Sequence, residues 1–519
     1  MTGIKNYLFV MCDHLRWDHL SCYGHPLIRT PNIDWLAQNG VRFSHAFAQS
    51  PNSSASRASF YTGRTSFSHG VTGNQVPLPL SEWTLGDYVR GKMRAALIGR
   101  TDLSIDDESL ERIGVERNQT TMGEALVHHQ NNGGFEVYEP MGAPNGLLSD
   151  DAPMSGAGGY AAWLRSIGYA SNDPWREFAQ VTMGPDGEPR DGNELANSRF
   201  PGRLKEGHSE TAFLTDRALD FIRETEDEPW FLHLAYSKPD APFIAPAPFH
   251  ALYADEPMIA AKRDPIERSN AHPVFAALSE MDAAKPLMRD EVRAAVLPAY
   301  LGLVRQIDYH LGRILIFLRE RNLLTQTMVV FTSNHGVNLG DHWLSGNRSF
   351  HDQSIRIPLI ILDPSEAGRA GRRRVEDRPV ESIDVLPTFL DAMGIRAPQN
   401  RLEGHSLLGM VHGSGNGNGN GHTDRAVLSE FDYAQLPMGN ELGIDGDGDA
   451  RAFMLRTPRW KYIHFLGYRP QLYDLENDPD EYRDLGAETG YEDIRRELHQ
   501  ALFDRLLRRR HGVSAVTHH

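Results

Sequence analysis

The chain has only two cysteines in 519 residues, Cys12 and Cys22, too few for a disulfide framework. Long apolar runs are missing as well. The N-terminal Tyr7-Leu8-Phe9-Val10-Met11 falls short of a membrane span or a signal core, and no small-residue cleavage site follows it. Excess positive charge is absent: 53 Lys and Arg against 69 Asp and Glu give a formal net charge of −16. That argues against a nucleic-acid groove, which calls for clustered cations, but a few cations in one pocket suffice for a small anion. The 47 Gly and 31 Pro carry no G-X-Y period, which excludes collagen. These absences lead to the expectation of a soluble, cytoplasmic globular protein with no nucleic-acid or membrane partner.

Hydrophobic residues make up 40% and charged residues 24%, ordinary values for a folded protein. At roughly 100–200 residues per domain the length allows several domains, or one large α/β unit with an appendage. Short apolar runs at Tyr7–Cys12, Ala95–Gly99, Trp230–Tyr236, Met328–Ser333 and Pro358–Leu362 predict buried strands. They lack polar alternation, which suits a parallel sheet covered on both faces. Helical patterns lie between them: Ile33–Asn39 with Asn32 as N-cap, Asp290–Arg321 with Pro298 near its start, and Ser382–Met393. The alternation predicts a doubly wound α/β fold over residues 1–410.

Residues 411–424 include a Gly/Asn repeat and predict a flexible loop. Residues 425–519 predict a smaller antiparallel sheet, from Ala426–Phe431, Phe453–Thr457 and Lys461–Phe465, and a terminal helix Tyr491–Arg509. Asp445-Gly-Asp-Gly-Asp449 starts like a calcium loop, but Arg456 stands where the closing Glu belongs, so an acidic turn is the better reading. The basic clusters Arg372–Arg374 and Arg505–Arg510 suit solvated faces.

In an open α/β sheet, sites form at the carboxyl ends of strands. Asp13-His14 follows the first strand, where a carboxylate can hold a divalent metal or simply cap a turn. Ser53-Ser-Ala-Ser-Arg57-Ala-Ser-Phe-Tyr-Thr62-Gly63-Arg64 resembles the sulfatase signature, Cys/Ser-x-Pro/Ala-Ser-Arg, four residues, then Thr-Gly-Arg. Thr332-Ser-Asn334-His335-Gly336, with Gly340-Asp341-His342, is similar to the second metal motif of that family. Pro239-Asp240-Ala-Pro242-Phe243 resembles its Pro-His-x-Pro-Phe. Further stretches, among them Thr30-Pro-Asn-Ile-Asp34, Ser354-Ile-Arg-Ile-Pro-Leu359 and Leu472-Tyr-Asp-Leu-Glu-Asn-Asp-Pro-Asp-Glu481, extend the likeness over nearly the whole chain. The resemblance is to the sulfatase and alkaline phosphatase superfamily, nearest its phosphonate monoester hydrolase branch.

That resemblance implies an alkaline-phosphatase-like α/β fold with a large mixed sheet and a smaller C-terminal sheet. It implies one divalent metal on Asp13, Asn334, His335 and Ser53, and hydrolysis of a small anionic ester of sulfate, phosphate or phosphonate. Ser53 matches the residue oxidised to formylglycine by a maturase, and Arg57 the arginine that stabilises it. Asp240 falls at the leaving-group acid, and at neutral pH it needs burial to raise its pKa. Asn74, Arg100, Asp102 and Asn347 fall near substrate positions, and Arg348 is the neighbouring cation. The departures are Ser53 for cysteine, Asn334 for a carboxylate, Asn347 for a lysine and Asp240 for a histidine. An unmodified serine alkoxide could still attack, as in alkaline phosphatases. The imidazole ligand favours manganese, iron or zinc over calcium. A tetramer or dimer is implied by the branch. The alternative is a diverged relative that binds an anion, or runs different chemistry, in the same pocket.

Overall fold

The structure, a computed structural model, describes residues 3–74, 76–104, 132–140, 159–225, 227–281, 285–398, 400–413, 425–435 and 450–508. Most of the Gly/Asn stretch and the acidic turn at 445–449 lie outside the described residues.

One sheet organises the molecule. Its nine strands are β1 (Asn6–Cys12), β2 (Val41–Phe47), β3 (Arg94–Gly99), β4 (Glu136–Pro140), β5 (Trp230–Tyr236), β6 (Thr327–Ser333), β7 (Arg356–Leu362), β8 (Arg374–Glu376) and β9 (Val380–Glu381). They lie in the order β8-β2-β7-β6-β1-β5-β3-β4, with β9 also paired to β2. All seven residues of β1 are buried, because alternate side chains feed two different cores. Leu8, Val10 and Cys12 join one core, and Tyr7, Phe9 and Met11 the other. At about 1.5–3 kcal/mol per fully buried large apolar side chain, this central strand is a main source of stability.

Strands β6, β1, β5, β3 and β4 run parallel. Strand β7 does not: it is antiparallel to both β6 and β2. The parallel setting expected for Pro358–Leu362 is thus corrected. An apolar run buried on both faces carries no sign of direction, and only short helical turns link β6 to β7, not the crossover helix that a parallel pair uses.

Helices cover both faces. The first, α1 (Pro31–Asn39), starts with Pro at its first position and Thr30 before it, so Asn32 is not the cap. Asn32 instead donates its backbone and side-chain N–H groups to Asp308, at 2.8 and 3.0 Å. The other long helices include α2 (Ser53–Thr62), α3 (Glu210–Glu224), α4 (Asp290–Glu320) and α5 (Val385–Met393), with α6 (Glu492–Arg508) near the end of the chain. Helix α4 runs through Pro298 without stopping. Its Tyr300 hydroxyl donates to His14 O at 2.8 Å and accepts from Arg16 N at 2.9 Å, fastening the loop after β1.

The C-terminal sheet has four antiparallel strands, one more than expected: β10 (Val427–Asp432), β11 (Arg451–Arg456), β12 (Trp460–Phe465) and β13 (Gln471–Asp474). Leu498 and Leu502 of α6 pack on it. Buried ionic contacts join it to the large sheet. Lys461 on β12, fully buried, donates to Phe350 O at 2.8 Å and to Asp352 at 2.7 Å. Arg505 reaches Glu381 at 2.5 Å, and Arg425 reaches Asp384 at 2.8 Å. No described helix is long and apolar enough to cross a membrane.

Candidate active site

Four parallel strands end at one edge. In the register Cys12 is paired with both Tyr236 and Ser333, and Gly99 with Ala235. The loops that follow therefore deliver Asp13-His14, Asn334-His335, Lys238–Asp240 and Arg100–Asp102 to the same place. His14 and Asp102 hold φ values of 58° and 55°, positive for non-glycine residues. Backbone of this kind concentrates where a site over-determines it.

Helix α2 supplies the rest. Asn52 caps it by accepting from Ala55 N, so Ser53 stands at its positive end. Arg57, one turn on, lies on the same face and is fully buried. Its Nη2 is 3.3 Å from Asp13 and its Nε 3.0 Å from Asp102. Arg100 meets the same two carboxylates, each at 3.0 Å. Burial alone would raise the Asp13 carboxyl, but Arg57, His14, Arg100 and His335 outweigh it and hold Asp13 well below the usual carboxylate range.

Ser53 Oγ lies 2.9 Å from His335 Nε2. Nδ1–H of His335 donates to Gly336 O at 2.9 Å, which leaves the Nε2 lone pair facing the serine. Burial lowers the His335 pKa to about 3, so the ring is neutral. His14 is turned in the same manner: its Nδ1 is 2.8 Å from Asp240, and its Nε2 edge faces Asp13 at 3.8 Å.

Ligand atoms of Asp13, His14 and His335 all lie within 4.8 Å of one another. In both rings the far nitrogen has an outer acceptor, the arrangement that orients metal-binding imidazoles. This donor set fits a divalent cation, with two nitrogens and one carboxylate. Asn334 does not join it. Its Oδ1 accepts from the backbone N–H groups of His14 (3.2 Å) and His335 (2.8 Å). Its Nδ2 is therefore turned inward, donating to Asp13 Oδ1 at 2.5 Å and approaching Ser53 Oγ at 3.4 Å. In this orientation the Asn334 oxygen faces backbone N–H groups, and His14 supplies a candidate ligand atom beside Asp13 and His335.

Asp240 also departs from expectation. Burial raises its pKa, but the His14 ring outweighs burial, and the net shift is downward. Its carboxylate accepts from His14 Nδ1 at 2.8 Å and orients that ring. Asn347 Nδ2 donates to Pro51 O at 2.6 Å and sits 3.1 Å from His335 Nε2, so it belongs to the cluster. Arg348 is exposed and turned to the sulfur of Met281, at 3.9 Å, and is not brought in. Asn74 accepts from Ser54 N and Oγ at 3.3 and 3.0 Å, bracing the start of α2 instead of facing the cluster. Asp341 and His342 brace loops too, through Arg16 (2.7 Å) and Glu267 (2.7 Å). Sequence reasoning named His14 beside Asp13 but gave it no ligand role, and the positive φ that marks it is invisible in sequence.

A serine at a helix N-terminus and paired guanidiniums stand at the edge of the parallel strands, and the relatives of this chain make it an ester hydrolase of the alkaline phosphatase superfamily. The chain belongs to the sulfatase family, whose model, described as Sulfatase, matches residues 5–395. A second model, described as N-sulphoglucosamine sulphohydrolase, C-terminal, matches residues 340–508. The chain is 29% identical to the multifunctional alkaline phosphatase superfamily protein PehA of Trinickia caryophylli, over 99% of this chain and 97% of that protein. The phosphonate monoester hydrolase of Agrobacterium radiobacter superposes with a TM-score of 0.81 at 27% identity, covering 97% of this chain and 96% of that one. The one from Silicibacter pomeroyi gives 0.83 at 26%, covering 99% and 98%.

Proposed function

We propose that the chain hydrolyses sulfate, phosphate or phosphonate esters with Ser53, or formylglycine made from it, as nucleophile. The observation that carries this is the Ser53 hydroxyl at the N-terminus of α2, 2.9 Å from the lone pair of a neutral His335. The helix end favours negative charge at that oxygen. Arg57 and Arg100, fixed by Asp13 and Asp102, supply preorganised positive charge for the oxygens of a tetrahedral anion. Asp13, His14 and His335, with Ser53, would hold a divalent metal, which when bound would act as a Lewis acid. The nitrogen-rich set favours zinc, iron or manganese over calcium.

Asp240 is engaged as the acceptor of His14 Nδ1 at 2.8 Å, which leaves it less free to protonate the leaving oxygen. Substrates with good leaving groups, such as aryl esters, follow from that. The inward amide of Asn334 supports a second reading, a relative that binds the anion without turning it over.

The test is peptide mass spectrometry of the natively produced protein, with metal analysis on the same sample and assays of aryl sulfates and phosphonate monoesters. A Ser53 peptide lighter by two hydrogens, with stoichiometric metal, supports the formylglycine route. Unmodified Ser53 with bound metal, and turnover lost in Ser53→Ala, supports the alkoxide route and moves phosphoesters ahead of sulfates. No metal and no turnover sink the hydrolase reading in favour of the second.

A further inference from the structure

Arg16 lies two residues past His14 and is 2% exposed. A guanidinium buried that deeply needs partners for its N–H groups, because nothing else offsets the loss of water. Here the partners come from two different loops. Nε and Nη2 donate to the two oxygens of Asp18, at 2.8 and 2.7 Å, in the loop after β1. Nη1 crosses to the loop after β6, where it donates to Asn338 O at 3.0 Å and to Asp341 Oδ2 at 2.7 Å. The first loop carries Asp13 and His14, and the second carries His335 and Asn347.

Both ends of this bridge are tied down. Tyr300 holds Arg16 N and His14 O. Asp341 Oδ1 accepts from Lys262 N at 2.9 Å. Asn338 sends its backbone N–H and its Nδ2 to Gly346 O, at 2.9 and 2.6 Å, and so closes the second loop directly before Asn347. Within that loop Leu339, His342 and Trp343 hold φ values of 53°, 51° and 57°. Bulky residues stay in that region only where surrounding contacts over-determine the backbone. Two of those contacts come from Arg16. At their bases the loops are joined by the sheet and by Asn334, and Arg16 joins them further out. None of its partners is a side chain of the cluster, so it acts there only through the placement of backbone.

We propose that Arg16 is a positioning residue: its fork locks the two loops together and so sets how the His14 and His335 rings stand to one another. On the metal-binding reading above, that spacing in turn sets the affinity for a divalent cation. A lysine keeps the charge but lacks the planar fork that serves both loops at once.

The experiment compares the wild type with Arg16→Lys, Asp341→Asn and, as a control, Glu376→Gln, which weakens a buried ion pair at the far edge of the sheet. Asp341→Asn keeps the oxygen that accepts from Lys262 N and turns an amide toward Arg16, and it serves if Arg16→Lys does not fold. Thermal melting ranks the loss of stability in each. The first readout is NMR of histidine-labelled protein without metal, each ring signal being assigned by substitution. The informative effects cross from one loop to the other: Arg16→Lys should move the His335 signals and Asp341→Asn those of His14. His69, outside both loops, should stay in place, and Glu376→Gln should move neither His14 nor His335. The second readout is cobalt affinity, by competition with a chelator and followed on the same two rings. It should fall by about tenfold in both clasp variants and be unchanged in the control. Absence of the crossed shifts overturns the proposal, as does wild-type cobalt affinity in a destabilised Arg16→Lys, and either leaves Arg16 a residue for stability alone. Crossed shifts in a chain whose wild type takes up no cobalt keep the clasp and remove the metal-binding reading.

Discussion

Replacing Asn334 by Asp restores a carboxylate at the heart of the site, and the structure says what it costs. The Asn334 amide donates to Asp13 at 2.5 Å while its oxygen is held by two backbone N–H groups. In Asn334→Asp those N–H groups keep one oxygen, and the other faces Asp13. A hydrogen bond to a charged group is lost, about 1.5–3 kcal/mol. Two negative charges are set roughly 4 Å apart, which repel by about 4 kcal/mol at an effective dielectric near 20. The metal-free variant should therefore be less stable by about 6 kcal/mol, moderated if the two carboxyls share a proton. A divalent cation between them reverses the sign. Each tenfold gain in metal affinity adds about 1.4 kcal/mol to the metal-bound fold. The assay is thermal melting in chelator and across a zinc or manganese titration. In chelator the variant should melt well below the wild type, and metal should raise it by more. An unchanged melt in chelator would refute the inward amide. Equal metal-induced shifts would refute a centre built on Asp13, His14 and His335.

Tyr300→Phe removes the hydroxyl that ties His14 O to Arg16 N, so we expect a loss of about 1–3 kcal/mol in urea unfolding and a lower kcat as the β1 loop loosens. Glu430, buried with Oε1 unpartnered, has a carboxyl that burial pushes up from 4.5 to about 8. The folded state holds this proton after the unfolded state has lost it. Stability should thus fall between pH 4.5 and 8, by at most about 1.4 kcal/mol per unit, and Glu430→Gln should flatten that part of the pH–stability curve. Lys461→Met takes the buried cation from Glu481 and leaves Asp352 with its longer contacts to Arg356 and Arg456, and should cost about 3–5 kcal/mol in denaturant melts, with partial recovery on adding Glu481→Gln.

Sequence carried the sheet and the address of the site further than its chemistry. Continuous apolar runs located β1, β3, β5, β6 and β7, because a strand buried on both faces has no polar positions to blur its ends. The same property hid the direction of β7. Strand β13 overlaps the Leu472-Tyr-Asp-Leu stretch, but its four residues are too few to show alternation. Asp13, Ser53, Arg57, Arg100, Asp102, Asn334, His335 and Asn347 do converge. What sequence could not supply was which way a side chain faces. The amide of Asn334 is set by two backbone N–H groups, one of them 320 residues away. Asp240 is engaged by His14, which arrives from another strand.

Lys461 grips the loop around Phe350 and Asp352, and that loop carries Asn347 to the edge of the cluster. In evolutionary terms the two sheets cannot be traded separately. A chimera joined between residues 395 and 425 would keep every side chain named in the cluster, yet borrow the lysine that sets the loop from a stranger. Drift in the tail can therefore retune reactivity from a distance, and relatives that share identical site residues can still differ in what they do.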